Sequence, residues 1–441
     1  MDIKNDGARY AFVVRWSDPM TQIVWKYQFM YHTSDRSIEM YEMKNQKTFL
    51  KRVAYPALAL EQLYIGSTIL VYSRQLFIED YGDDFTRKHL RGLQETTLAM
   101  IKPDAFQHTG QILECITANG LLIKNLRMCQ LSVPQAEEFY KCHRGKPFFP
   151  CLTQLIASGP VVAMELVGEN ALCRWRMLLG PTSAEVARIK APSSIRAQFG
   201  TDCTRNACHG SDSHESARLE TCFFFIDRKL GMCARFRNCS VAIVKPHAVT
   251  AGSAGAIINR VMENFDVTAM ELAQFTRATA MEFYEVYRGI VPDFLAMTFE
   301  LGSGDFIAME IADKQNPCMN PVNKFRDLCG PADPCIARSL RPHTIRAEFG
   351  INKVKNAIHC TDLEEDGELE SQYIFMHEYA LDGRAPPALV SKAPCTRKIE
   401  STDSSEYSSS GTCSGTTSGS SSCSSSQSDR GPPPPRFSCR A

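Results

Sequence analysis

Between Arg9 and Ile78 the apolar residues come in short runs, YAFVVRW, IVWKYQFMY, SIEMYEM and STILVYSRQLFI, separated by polar turns such as SDPM and HTSD. Alternation at period two, with many aromatic and β-branched residues, predicts a small β-rich domain over residues 1–91. Beyond it the rhythm changes. TLAMIKPDA and SVAIVKPHA read as strands stopped by proline, GQILECITANG and GAIINRVMENF carry apolar residues at helical spacing, and SGPVVAMEL and SGDFIAMEI read as buried strands. Strands alternating with helices, without long parallel crossovers, predict an α+β fold: a modest antiparallel sheet with helices on one face. From Leu381 to Ala441 serine, glycine and proline dominate. That segment lacks the apolar surface to offset its ordering entropy, so it is expected to be a disordered tail, with PPPP as a short polyproline stretch.

The body of the chain is written twice. AMIKPDAF recurs as AIVKPHAV, with Lys102 and Lys245 143 positions apart, and EEFYKCHRG recurs as MEFYEVYRG, with Tyr140 and Tyr284 144 apart. VVAMEL then recurs as FIAMEI, LLGP as LCGP and SIRAQFG as TIRAEFG, and from LLGP onward the offset is 150. So many matches in one order mark a duplication, with domains expected at 92–228 and 238–380. The extra residues of the second copy fall between Ile311 and Arg326, where KQNPCMNP suits a surface loop.

Composition narrows the picture. Lysine plus arginine equals aspartate plus glutamate, 49 each, so no global field draws the chain to nucleic acid or anionic lipid. The 18 cysteines form no C-x-x-C pair and lie scattered in apolar stretches, which predicts reduced core residues in an intracellular protein. The polar opening MDIKNDGARY predicts no secretory leader, and no run of about 18 apolar residues predicts a membrane span.

Each repeat keeps a lysine after its first strand, a tyrosine, two arginines, an asparagine and a histidine. There is no Walker A loop and no G-x-G-x-x-G, so backbone phosphate cradles are absent. Arginine forks and a lysine can hold a polyphosphate instead, and a neutral imidazole can attack phosphorus. Taken singly, each of these residues fits a surface ion pair or a satisfied core histidine equally well.

The wording of the motifs decides more. NACHGSDS, from Asn206 to Ser213, resembles the N-x-x-H-G-S-D-S signature of the nucleoside diphosphate kinase family. IKPD, Tyr140 before KPFF, SGPVVAM, Arg176 before LLGPT and IRAQFG match that family in order over about 95–225. The resemblance implies a ferredoxin-like α+β unit in each copy. It implies His209 as the phosphorylated nucleophile, with Glu220 and Ser211 orienting its ring. Lys102, Arg176, Thr182 and Arg196 would contact phosphates, and Lys102 with Asn206 the sugar hydroxyl. Phe148 would stack on the base and Tyr140 would close the phosphate side. Substrates would be ATP and other nucleoside tri- and diphosphates, with Mg2+ held by their phosphates and no protein metal site.

The second copy keeps Lys245, Tyr284, Arg326, Arg346, Asn356 and His359 but departs elsewhere. His247 replaces aspartate, Ala332 replaces the threonine, and Cys360 and Thr361 follow the histidine. IVPDF puts Pro292 or an out-of-register Phe294 at the stacking position. Losing stacking worth about 1–3 kcal/mol would weaken binding about 5- to 150-fold, so a degenerate second site is expected. Linked by only 226–239, the copies are expected to pair as an intramolecular pseudo-dimer. The loop from Gly180 to Arg196, longer than the family's common form, argues against its hexamer.

SIEMYEMKNQKTFLKR and YIGSTILVYSRQLFIEDYGDDFT resemble the DM-type domain, a β-rich module of ciliary and axonemal proteins. Joined to tandem kinase-like repeats, it implies tubulin and axonemal doublet-microtubule partners, and γ-tubulin complexes at the centrosome. The implied location is the cytoplasm and the cytoskeleton of the cilium or flagellum. Two readings stay open: an enzyme, or a structural protein of ciliary microtubules that uses the fold as a building block.

Overall fold

The structure is a computed structural model that describes residues 7–18, 21, 23–90, 94–226, 230–231 and 233–381, with side chains as far as 376. The tail and its proline run lie outside the described residues, apart from Leu381.

The front module is an antiparallel sheet of β1 (Arg9–Ser17), β2 (Val24–His32), β3 (Ser37–Glu42), β4 (Lys47–Ala54), β5 (Thr68–Val71) and β6 (Arg74–Tyr81), in the order β4-β3-β2-β1-β6-β5. Alternation places Tyr10, Phe12 and Val14 of β1 with Tyr27, Phe29 and Tyr31 of β2 in one core. The run STILVYSRQLFI is two strands rather than one, because Tyr72 takes a left-handed φ of 54° and the chain turns back there. Helix Asp84–Leu90 covers the module, and Ala11 N–H donates to Thr86 Oγ1 at 2.8 Å.

Each repeat contributes four strands. The first supplies β7 (Glu95–Ile101), β8 (Leu122–Cys129), β9 (Val161–Gly168) and β10 (Cys208–Gly210). The second supplies β11 (Ser240–Val244), β12 (Phe265–Ala273), β13 (Phe306–Asp313) and β14 (Ile358–Cys360). They form one antiparallel eight-stranded sheet, β10-β7-β9-β8-β12-β13-β11-β14, joined where Arg127 of β8 faces Glu271 of β12. The two copies therefore pair within the chain, as their short linker required.

Helices cover both faces of this sheet, not one. On β7, Leu98 and Met100 pack against Leu152, Ile156 and Phe224, while Ala99 and Ile101 pack against Ile112 and Trp175 on the other side. The apolar run of β9 reports the same thing, since a strand that is buried on both faces has no polar alternation.

The seam between repeats is a second layer of contact. Helices Thr109–Ala118 and Ala254–Asn264 cross at facing glycines. A Cβ on Gly255 would lie 2.6 Å from Gly110 O, and one on Gly110 would lie 2.5 Å from Gly255 O. Ile112 and Ile116 of one helix and Ile257, Ile258 and Val261 of the other share a single core. Asn259 Nδ2 donates to Glu114 Oε2 across the crossing at 3.3 Å. Buried Glu310 anchors the linker, accepting from Arg235 N (2.6 Å) and Phe236 N (2.9 Å). It also accepts from Thr268 Oγ1 (2.5 Å) of β12 and Ser371 Oγ (2.6 Å) of the last helix. The front module is tied to the second repeat by Gln75, whose Nε2 donates to the carbonyls of Phe275 and Gly302, each at 2.7 Å.

Gly255→Val should force the crossing helices apart and destabilise the folded chain by about 3 kcal/mol. Chemical unfolding of both chains measures it; an unchanged midpoint would mean that the seam tolerates the added side chain.

Candidate active site

In the first repeat β10 pairs with the edge of β7, His209 opposite Met100, and this sets the histidine at the end of the sheet. Just before it, Ala207 sits at φ 66°, a conformation that costs a non-glycine residue about 1–2 kcal/mol. Two bonds hold it there: Ala207 N–H donates to Asp104 Oδ2 (3.0 Å) and Lys102 N–H donates to Ala207 O (2.8 Å). The proline after Lys102 ends β7 and starts the turn that supplies Asp104.

The ring of His209 is fixed by a carboxylate. Glu220 Oε2 lies 3.0 Å from His209 Nε2 and also accepts from Ser211 Oγ at 2.6 Å. A carboxylate acceptor places the proton on Nε2, so the lone pair is on Nδ1. Ser211 Oγ in turn accepts from Leu98 N–H at 3.3 Å, tying the triad to β7. Phe139 and Tyr140 pack edge-on to the imidazole at 5.3 and 5.6 Å.

Cations gather on the same side. Lys102 Nζ donates to Asn206 Oδ1 (2.6 Å) and Thr204 O (3.0 Å), and burial pushes its pKa down to about 8. Asn206 Nδ2 reaches Thr182 O at 3.0 Å, which draws the Thr182 loop to the site. Arg196 is aimed by Gly180 O (2.8 Å) and Cys208 O (3.1 Å), while its Nε is buried without a partner. Arg176 is held more loosely, 3.4 Å from Ser211 O. The hydroxyl of Tyr140 is also buried and unpartnered. Such groups carry a penalty unless a ligand satisfies them. Phe148 stands 45% exposed at the head of helix Phe149–Ala157, in a chain of rings running through His143 and Tyr140 to His209. All ten sequence-predicted residues of the first site thus come together. Asp104, Phe139 and His143 were missed; Asp104 lay in view inside IKPD, whereas the two rings carry no motif of their own.

The second repeat corrects the sequence reading in both directions. Its histidine device is intact: His359 Nε2 lies 3.1 Å from Glu370 Oε2, and Thr361 Oγ1 donates to the same oxygen at 2.8 Å, doing the serine's work. Glu370 is found by adding the repeat offset of 150 to Glu220. His247 also replaces its aspartate in function. Its Nε2 accepts Ala357 N–H at 3.2 Å, and its Nδ1 donates to Glu300 Oε1 at 2.6 Å, so Ala357 keeps the strained φ of 71°.

What differs is the surroundings of the histidine. Phe294 is not out of register but 6% exposed, the counterpart of buried Phe149; Asp293 heads its helix where Phe148 heads the other, and Pro292 precedes it. Arg326 is bound by Asp362, with Nη1 3.1 Å from Oδ1, and Tyr287 OH donates to Asp362 at 2.6 Å. In the first repeat Ser216 Oγ holds the equivalent Asp212 at 2.6 Å; the second has Asp366 there, with no hydroxyl to offer. Arg346 is aimed by Gly330 O and Ile358 O as Arg196 is by Gly180 O and Cys208 O, and it also meets Cys360 Sγ. Lys245 is buried against Val354 O, with its pKa pushed down to about 7 by burial. Asn356 Nδ2 donates to Ala332 O at 3.1 Å, and Tyr284 OH is buried without a partner. The side chain of His359 is 6% exposed against 17% for His209.

No group of three or more His, Cys, Asp or Glu among the described residues could hold a metal, and no described helix is long and apolar enough to cross a membrane. The Lys102 environment sets a pH dependence. Burial lets the amine lose its proton above about pH 8, and a phosphate bound beside it would restore the charge. Nucleoside diphosphate affinity should therefore fall as pH rises past 8, by up to about tenfold per unit, with proton uptake on binding. Calorimetry in buffers of different ionisation enthalpy reads both; pH-independent binding without proton uptake between 8 and 9.5 (about the range where the linkage operates) would contradict it.

Comparison with known proteins points to one family. The nucleoside diphosphate kinase family profile matches residues 95–230 and 238–379, and a profile described as the nucleoside diphosphate kinase 7 N-terminal PH domain matches 4–92, the module whose sequence resembles the DM type. Nucleoside diphosphate kinase homolog 7 of Rattus norvegicus is 46% identical over 84% of this chain and 94% of its own length. The nucleoside diphosphate kinase of Aquifex aeolicus is 50% identical over 30% of this chain and 94% of its own. A crystal structure of the Aquifex aeolicus enzyme aligns at 48% identity and a TM-score of 0.30, covering 31% of this chain and 99% of that one. With two matches to the family profile and a full-length relative at this identity, the chain belongs to the nucleoside diphosphate kinase family.

Proposed function

We propose that the first repeat carries the phosphotransferase activity, moving the terminal phosphate of a nucleoside triphosphate to a nucleoside diphosphate through phosphohistidine at His209. One observation carries this reading: Nε2 of His209 is pinned by Glu220, which leaves Nδ1 as the free nitrogen, in a site where Arg196 Nε and Tyr140 OH are buried without partners. The nucleotide enters with Mg2+ on its phosphates as the substrate complex, and the carboxylate of Glu220 serves to orient the ring.

The Nδ1 lone pair attacks the γ-phosphorus and the bond to the bridging oxygen breaks, so the diphosphate leaves with that electron pair. The proton on Nε2 stays in place, and Glu220 balances the positive ring that results. Lys102, Arg176 and Arg196 neutralise the phosphate oxygens through the transfer. A second diphosphate then attacks the phosphohistidine and restores the neutral ring. Phe148 holds any base by its face, which makes the site tolerant of base identity.

In this reading the second repeat is the packing partner that completes the sheet, its outer pocket closed by Tyr287, Asp362 and Arg326. That closed half, and the front module bonded to it through Gln75, also favour a structural role alongside catalysis. A place on axonemal doublet microtubules, with tubulin among its contacts, is supported by the resemblance of the front module and by the tandem architecture.

His209→Ala should abolish the acid-labile phosphoenzyme formed with labelled ATP, and His359→Ala should leave most of it; equal effects would refute the assignment. Arg196→Lys should weaken nucleotide binding by about 1.5–3 kcal/mol, because a fork of fixed geometry becomes a point charge. Titration calorimetry decides, and an unchanged Kd would make Arg196 a structural residue.

A further inference from the structure

The second repeat holds a pair of sulfurs that the first lacks. Cys329 ends helix Val322–Cys329 and Cys360 ends β14. The repeat offset maps them onto Leu179 and Gly210. In the first repeat a Cβ at Gly210 would meet Trp175 Nε1 at 2.6 Å and Leu179 Cδ1 at 2.8 Å. In the second repeat Cys360 stands at that position, and its side chain interacts with that of Cys329. Both are buried in the core shared by the two repeats, at 0% and 3% exposure.

Arg346 completes the cluster, with Nη2 3.4 Å from Cys360 Sγ. A guanidinium and a donating thiol on one sulfur favour its thiolate, and the Cys360 thiol is held below the usual cysteine range by the Cys329 hydrogen bond and by Arg346. Cys329 shifts the opposite way, upward, by burial and by its neighbour. One sulfur is thus a nucleophile and the adjacent one a protonated thiol able to resolve it.

We propose that Cys329 and Cys360 are a redox pair, which a small hydroperoxide converts to a disulfide inside the second repeat. The Cys360 thiolate attacks the peroxide oxygen, the O–O bond breaks, and hydroxide leaves to take a proton as water, giving a sulfenic acid. The Cys329 sulfur then attacks that sulfur, loses its proton and expels a second water as the S–S bond forms. Two thiols are oxidised by two electrons and one peroxide is reduced to two waters. Hydrogen peroxide is small enough for this buried place, whereas a bulky disulfide is not. The bond would staple the helix end to the edge strand that carries His359 and remove the thiolate facing Arg346. It would close a loop from 329 to 360 and raise the melting temperature of the chain.

The test uses the full chain. Exposed thiols such as Cys142, Cys151, Cys173, Cys203, Cys318 and Cys335 are first blocked by iodoacetamide under native conditions. The protein then meets hydrogen peroxide, is denatured, alkylated with a second reagent and digested without reductant. The expected product is one reducible peptide pair joining Cys329 to Cys360, two hydrogens lighter than the free thiols, with a higher melting temperature before digestion. In Cys329→Ser, Cys360 should instead be trapped as a sulfenic acid by dimedone. Recovery of both cysteines with the second alkyl label, or Cys360 joined to a different cysteine, overturns the proposal even if the serine variant fails to fold.

Discussion

The close approach of Gly110 and Gly255 is the contact on which the rest of this protein depends. Only where neither helix carries a Cβ can the two backbones come near enough for Ile112, Ile116, Ile257 and Ile258 to share one core. That approach sets β8 beside β12 and makes eight strands one sheet. A linker anchored by Glu310 keeps the two copies together at high effective concentration. Half of the sheet can then serve as scaffold for the other half. The second repeat can change its outer pocket without cost to packing.

The two sites show how side chains around the histidine can change without unfolding. The backbone device around each histidine is conserved in kind although its chemistry changes. A carboxylate receives Ala207 N–H in one copy and an imidazole receives Ala357 N–H in the other; a serine hydroxyl meets Glu220 and a threonine hydroxyl meets Glu370. These substitutions preserve the strained turn before the histidine, which is needed for the fold as much as for chemistry. The outer pocket is under no such constraint. There an aspartate freed from its serine partner turned on Arg326, Tyr287 joined it, and an acid took the place of the stacking ring.

How much of this was legible in the sequence follows from the range of each interaction. The duplication, the strand-proline start of each repeat and ten residues of the first site could be read because motif and order encode them together, whereas Phe139 and His143 carry no motif. Pairing within the chain was legible from linker length. The second face of helices was visible in the unbroken apolar run of β9 but was read as simple burial. The register of Phe294 was not legible, since one inserted residue between Gly289 and the helix start moves it, and only packing shows that Phe294 fills the place of Phe149. Nor could His247 be recognised as a substitute for Asp104. That equivalence rests on Glu300, 53 positions away, which fixes its tautomer. Contacts between distant side chains leave no local pattern to read.

The central claim is that one chain carries two histidines in the same oriented geometry and that only the one with an open pocket takes phosphate. Intact-mass spectrometry of the full chain, incubated with Mg2+ and excess ATP and kept mildly alkaline to preserve phosphohistidine, counts the phosphoryl groups per molecule. The account predicts a single adduct, located at His209 by fragmentation. Two adducts per chain, or a single one on His359, would contradict it.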